Sequence, residues 1–136
     1  MPQHISAMLD AHPKSGGMVS TEKLAECIAA CFECSQTCTA CADACQGEEM
    51  VAGLARCIRT DLDCADICAA TGNVLSRRTA DNGGITQVLL EACQASCGVC
   101  AEECEKHAGM HEHCRICAEA CRRCASACAG LLAAPA

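Results

Sequence analysis

Residues 27–45 read CIAACFECSQTCTACADAC, and the six thiols in this stretch recur at intervals of 4, 3, 4, 3 and 4 residues. Side chains at i, i+3, i+4 and i+7 stack along one stripe of an α-helix. The cysteines therefore form a row, about 27 Å long at the helical rise of about 1.5 Å per residue. A 4-3-4-3 alternation is the seam along which bundled helices meet, and that seam is normally filled by Leu, Ile or Val. In this chain it is written in sulfur.

The same pattern recurs three more times. Cys57, Cys64 and Cys68 form a second row, Cys93, Cys97, Cys100 and Cys104 a third, and Cys114, Cys117, Cys121, Cys124 and Cys128 a fourth. Local signals set the expected helix ends. Ser20 and Thr21 followed by Glu22 read as an N-cap for a helix running to about Cys45, ahead of Gln46-Gly47. A second helix is expected from near Glu48-Glu49 toward Arg77-Arg78, whose charges suit a helix start and a helix end respectively. Asp81-Asn82-Gly83-Gly84 is a turn. A third helix is expected from Ile85 to His107, and after Gly109 a fourth from Met110 to Leu131 or Leu132. The sequence thus predicts an all-α protein, an antiparallel up-down-up-down four-helix bundle over residues 20–136. Residues 1–19 should add a short helix and a linker, with the breaker-rich His12-Pro13-Lys14-Ser15-Gly16-Gly17 closing the helix. The face His4, Met8, His12 offers metal-ligand types, but docking through Ile5, Met8 and Leu9 is the expected use of that helix.

Composition narrows the chemistry. The chain has 136 residues, enough for one domain, and 51% of them are hydrophobic, yet Trp and Tyr are absent and Phe32 is the one aromatic residue. A seam of small thiols packs thinly unless something polarisable fills its axis. Eighteen cysteines would suit a disulfide scaffold in a short exported chain, but the N-terminal residues carry no basic start leading into an apolar run and no twin arginine. The cytosol is the expected compartment, where clustered cysteines read as metal ligands or redox groups. Helical neighbours also have Cβ atoms about 5–6 Å apart, whereas a disulfide needs about 3.5–4.5 Å. The net charge of −7 speaks against nucleic acid as a partner, and no apolar run approaches the roughly 18 residues of a membrane span. Ionising all eighteen thiols would add eighteen negative charges to that −7. A buried charge of this size requires cations to enter with it.

Thiolates select soft cations: Cu(I), zinc or iron–sulfur clusters. Zinc takes a closed set of four, commonly from CxxC pairs on turns. Here the CxxC pairs 31–34, 38–41, 97–100, 114–117 and 121–124 interleave with CxxxC pairs, which makes them successive seam positions. Cu(I) is satisfied by two or three thiolates, and thiolates bridge, so eighteen ligands would hold about 9 ions with private pairs and about 18 with every sulfur shared. Catalysis needs one defined site with an open position, whereas many near-identical sites suit capacity. The expectation is a non-enzymatic store.

The antiparallel topology distinguishes the two ends of such a bundle. The 46–48 and 108–110 connections bring Met50, His107, Met110, His111 and His113 together beside Cys45, Cys104 and Cys114. Leu24, Val74, Leu75, Leu89, Leu90, Leu131 and Leu132 gather at the other end. One end is a soft-ligand mouth and the other an apolar plug. His107 continues the Cys100, Cys104 row by three residues and His111 precedes Cys114 by three, so both are candidate ligands. His113 lies one residue off that face, and Met50 and Met110 are open to either copper transfer or packing. Asp61, four residues after Cys57 and three before Cys64, occupies a seam position where a carboxylate must be paired or bound. A ligand role and a local hydrogen-bonding role both stay open for it.

With its CxxxC and CxxC ladder over residues 21–132, no export signal and histidines at positions 107, 111 and 113, the chain resembles the bacterial copper storage proteins, specifically their cytosolic branch. That resemblance implies a homotetramer in which each bundle binds many Cu(I) ions through thiolates. It also favours Asp61 and His111 as auxiliary ligands. Two rival readings remain: a general thiolate store for zinc or cadmium, and a thiol oxidoreductase, for which CxxC at helix N-termini would be expected. An iron–sulfur protein would need four sulfurs converging on one point.

Overall fold

The computed structural model of the protein describes residues 3–14 and 20–133. It contains α1 (Gln3–Ala11), α2 (Thr21–Gln46), a 3-10 turn (Val51–Leu54), α3 (Ala55–Leu75), α4 (Ile85–His107) and α5 (Glu112–Leu132). Helices α2 to α5 form the expected all-helical bundle. Each of the four packs on its chain neighbours, and α5 closes the ring against α2.

The caps follow the sequence at most ends. Ser20 Oγ accepts from the Lys23 backbone N–H at 3.1 Å and starts α2. In the connection to α4, Asp81 Oδ2 accepts from Gly83 N at 3.0 Å and Asn82 Oδ1 from Thr86 N at 3.2 Å. Gly83 and Gly84 take φ of 69° and 87°, left-handed conformations that glycine enters without a Cβ clash.

One boundary differs from expectation. The second bundle helix begins at Ala55 instead of near Glu48, after a turn and the 3-10 segment that buries Leu54. Glu48, whose charge suggested a helix start, turns its carboxylate toward His113 on α5 and His111 just before it. The same helix stops at Leu75, short of Arg77, where the Ser76 hydroxyl donates back to the Gly72 carbonyl at 2.7 Å. A smaller difference occurs at α5, which starts at Glu112 because residues 108–111 turn before it.

All eighteen cysteines face inward and are buried. Polar contacts on the outside set the register at each of the four helix seams. Ser35 Oγ donates to the Ala65 carbonyl between α2 and α3 at 2.9 Å, and Arg56 meets Glu103 between α3 and α4 at 3.3 Å. Arg122 meets Glu105 between α5 and α4 at 2.8 Å, and Arg123 meets Glu33 between α5 and α2 at 2.7 Å. Exposed pairs of this kind add little stability each, but together they favour one rotational setting of the four helices over its alternatives.

The apolar end is as expected: Leu24, Leu75, Leu90 and Leu131 are buried, with Val74, Leu89 and Leu132 partly so. Helix α1 lies against α2. It docks through Leu9, which is buried, and Ile5, while Met8 points away from the contact and is 70% exposed. Among the described residues no helix is long and apolar enough to cross a membrane.

Candidate metal-binding core

The seam cysteines are brought together across helices as well as along them. All eighteen are free thiols. Sγ atoms one turn apart on the same helix, Cys34–Cys38 and Cys64–Cys68, lie 3.8 and 3.7 Å apart. Cross-helix separations span the same range, from Cys68–Cys97 at 3.5 Å and Cys38–Cys121 at 3.6 Å to Cys34–Cys97 at 4.0 Å. A sulfur in this core therefore has partners along the row and across it at similar range, and a bridging thiolate needs that arrangement.

Groups of four sulfurs close enough to share an ion run from the plug to the mouth. They include Cys31 with Cys93, Cys124 and Cys128; Cys34 with Cys68, Cys97 and Cys124; Cys34 with Cys38, Cys64 and Cys121; Cys38 with Cys100, Cys117 and Cys121; and Cys41 with Cys45, Cys57 and Cys114. The first four share corners in turn at Cys124, at Cys34, and at Cys38 and Cys121, whereas the Cys41 group shares no sulfur with them and reaches the rest of the core through Cys57, 3.7 Å from Cys104. Isolated tetrahedral zinc sites would stand apart from one another. Linked groups instead form a continuous ladder in which soft ions can share ligands.

Burial alone would keep these thiols neutral. It raises Cys45 to about 11. Elsewhere the thiols perturb one another through their contacts: those with Cys128 and Cys31 hold Cys27 down to about 5, while those with Cys124, Cys128 and Cys27 push Cys31 up. Neighbouring sulfurs thus hold their protons unequally, and entry of a cation displaces protons from an existing network.

Asp61 is fully buried in the middle of this network. Its Oδ1 accepts from Cys100 at 3.0 Å, Cys117 at 3.3 Å and Cys104 at 3.5 Å, and Cys57 approaches Oδ2 at 3.9 Å. Desolvation first, then the charge of Cys117 and the contact with Cys100, push its pKa up to about 12. At neutral pH the carboxyl holds a proton, so no isolated anion is buried among the thiols.

The mouth histidines occupy three different environments. His107 Nε2 lies 3.2 Å from Glu103, a nearly buried carboxylate that also takes Arg56 and Lys106. Desolvation raises the Glu103 pKa, but His107 and Lys106 outweigh it and hold it below the usual range. His111 Nδ1 lies 3.1 Å from Glu48 Oε2, and its Nε2 is buried with no hydrogen-bond partner among the described residues. Neither imidazole has a thiol among its hydrogen-bond partners. His113 does: its Nδ1 lies 3.3 Å from Cys41 Sγ and 3.6 Å from Cys114 Sγ. Burial acts to lower the His113 pKa, but the contacts with Cys41 and Glu48 prevail and raise it. The sequence signal for His113 was its i, i+4 relation to Cys117, which makes it as much a seam neighbour as Cys114, at i, i+3. Met50 and Met110 are largely exposed at the rim.

Residues 20–133 match the family model described as copper storage protein. The structure is similar to that of a copper storage protein from Streptomyces lividans loaded with 10 copper equivalents, at 53% identity and a TM-score of 0.94 over 96% of this chain and 99% of that one. It is also similar to a cytosolic copper storage protein from Streptomyces lividans carrying five coppers, at 56% identity and a TM-score of 0.82 over 85% of this chain and 96% of that one. A Cu(I)-bound copper storage protein, BsCsp3, is 36% identical with a TM-score of 0.70 over 79% of this chain and 95% of that one. A comparison with curated proteins returns no match.

Proposed function

The chain belongs to the copper storage protein family, and on that premise we propose that it stores Cu(I) in the cytosol, holding many ions at once along the axis of its bundle. The observation that carries this reading is the row of buried, unpaired thiols in which four-sulfur groups share corners from Cys31 to Cys117, with a further four-sulfur group at the mouth. One positive charge per thiolate recruited keeps a dry core close to neutral, which divalent ions at the same density could not do.

The proposed ligands are the eighteen seam cysteines, with Asp61, His107 and His111 as auxiliary groups and His113 added by its approach to Cys41. Copper enters at the histidine end, moves between overlapping thiolate groups and leaves to a stronger acceptor. The opposite end is closed by leucines. The protein acts by capacity and performs no catalysis. Residues 20–136 form the storage unit with residues 1–19 as an appendage, and the assembly is a homotetramer, in line with the family resemblance.

An anaerobic titration of the reduced protein with Cu(I), against a competing chelator, tests the reading. Saturation well above about 9 ions per chain is the expected result, because that exceeds private thiolate pairs. A plateau near four ions, with zinc held as tightly, would replace it with zinc sequestration.

A further inference from the structure

Glu48 stands in the turn after α2, outside the thiol core, and one of its oxygens serves two imidazoles. Oε2 lies 2.8 Å from His113 Nε2 and 3.1 Å from His111 Nδ1. The two rings stack with centroids 5.4 Å apart and planes 21° from parallel. A carboxylate only accepts hydrogen bonds, so the ring nitrogen facing it carries the proton. In the neutral imidazole the other nitrogen then keeps its lone pair, and that lone pair is what binds a metal. For His113 the free nitrogen is Nδ1, directed at Cys41 and Cys114. For His111 it is Nε2, the buried atom with no partner among the described residues.

We propose that Glu48 is the positioning residue of the mouth, fixing opposite tautomers of His111 and His113 so that each offers a free nitrogen to incoming Cu(I). A hard carboxylate is a poor ligand for a soft ion, so Glu48 acts through the rings. Partners of this kind orient metal-binding imidazoles and set which nitrogen is available. The same contacts tie the α2–α3 connection to the start of α5, across the opening that copper must pass.

This inference rests on the Cu(I) storage reading, and its test separates the two. Histidine tautomers are read in the full-length, reduced, metal-free protein by long-range 1H–15N NMR, and affinity for the first copper is then measured by chelator competition. In the unaltered protein His113 is expected as the Nε2–H form and His111 as the Nδ1–H form. E48A should mix the tautomers of both rings and weaken the first copper about 10-fold or more, with the total thiolate capacity unchanged. E48Q keeps one acceptor oxygen and should recover most of that loss. Unchanged tautomers in E48A, an unchanged first affinity, or a capacity that falls together with affinity in both variants would overturn the assignment. Failure of the unaltered protein to take up many Cu(I) ions would instead overturn the storage reading and leave the tautomer result standing.

Discussion

Cys100 Sγ, on α4, donates to Asp61 Oδ1, on α3, across 3.0 Å, and Cys104 and Cys117 reach the same oxygen. Desolvation keeps this buried carboxyl protonated in the folded, metal-free protein, with its pKa at about 12, whereas it is ionised in the unfolded chain, where it titrates near 3.8. Between those values the folded state binds the extra proton. Stability is therefore full below the unfolded pKa and declines as pH rises, by at most about 1.4 kcal/mol per pH unit for one group. The reduced, metal-free protein is expected to unfold at lower denaturant concentration at pH 7.5 than at pH 5. Asp61→Asn, which cannot ionise, should flatten that dependence. A profile equally steep in both proteins would show that Asp61 is not its source.

Shared sulfurs should cost more copper than peripheral ones. Cys34 lies within 4.0 Å of the sulfurs of Cys38, Cys64, Cys97 and Cys121 and joins two of the four-sulfur groups described above. Cys45 sits at the mouth end of the ladder, in the group with Cys41, Cys57 and Cys114. Native mass spectrometry of the loaded proteins should find a larger loss of bound copper for Cys34→Ala than for Cys45→Ala. Equal losses would indicate private sites.

The histidines should separate by what they touch. His113→Ala removes a nitrogen that is 3.3 Å from a thiol, whereas His107→Ala removes one held by Glu103. Chelator competition over the first copper equivalents should show the greater weakening in His113→Ala, with final capacity preserved in both variants because thiolates supply most of the ligands.

A packing contact provides a test that involves no metal. A Cβ at Gly72 on α3 would come within 2.8 Å of Phe32 Cζ on α2. Gly72→Ala should destabilise the metal-free protein by about 1 kcal/mol or more through overpacking. In a Phe32→Ala background the sign should reverse, because Ala is favoured over Gly inside a helix by about 1 kcal/mol. Denaturant unfolding of the four proteins measures the coupling, and additive effects would refute it.

Loading should stabilise the bundle progressively. Ions that bind the folded core and not the unfolded chain add stability according to their concentration and affinity, and they fill a seam otherwise lined by small thiols. Thermal unfolding of the reduced protein should move upward with each copper equivalent and return to its starting point when a strong chelator strips the metal.

Much of this protein follows from spacing. The four cysteine rows, the inward direction of every thiol, the leucine plug and the placement of the histidine connections at one end can all be read from residue intervals of three and four together with short loops. The start of α3 and the role of Glu48 could not be read in this way. An acidic residue ahead of an apolar stretch signals a helix start, but here two imidazoles, one on α5 and one just before it, far along the chain, compete for it. His113 was similarly ambiguous, because positions 113 and 114 both border the seam and only the rotational setting of α5 decides which meets Cys41.

Residue order alone set the thiol face of each helix, because helical periodicity is a local property of the chain. It also determined the class of metal, because ligand softness belongs to the residue type. Tertiary packing set which sulfurs share a corner, the burial that holds a proton on the Asp61 carboxyl, and which nitrogens of His111 and His113 face Glu48. Those properties depend on distances of 3 to 4 Å between atoms on different helices, and on burial that exists only after the helices have packed.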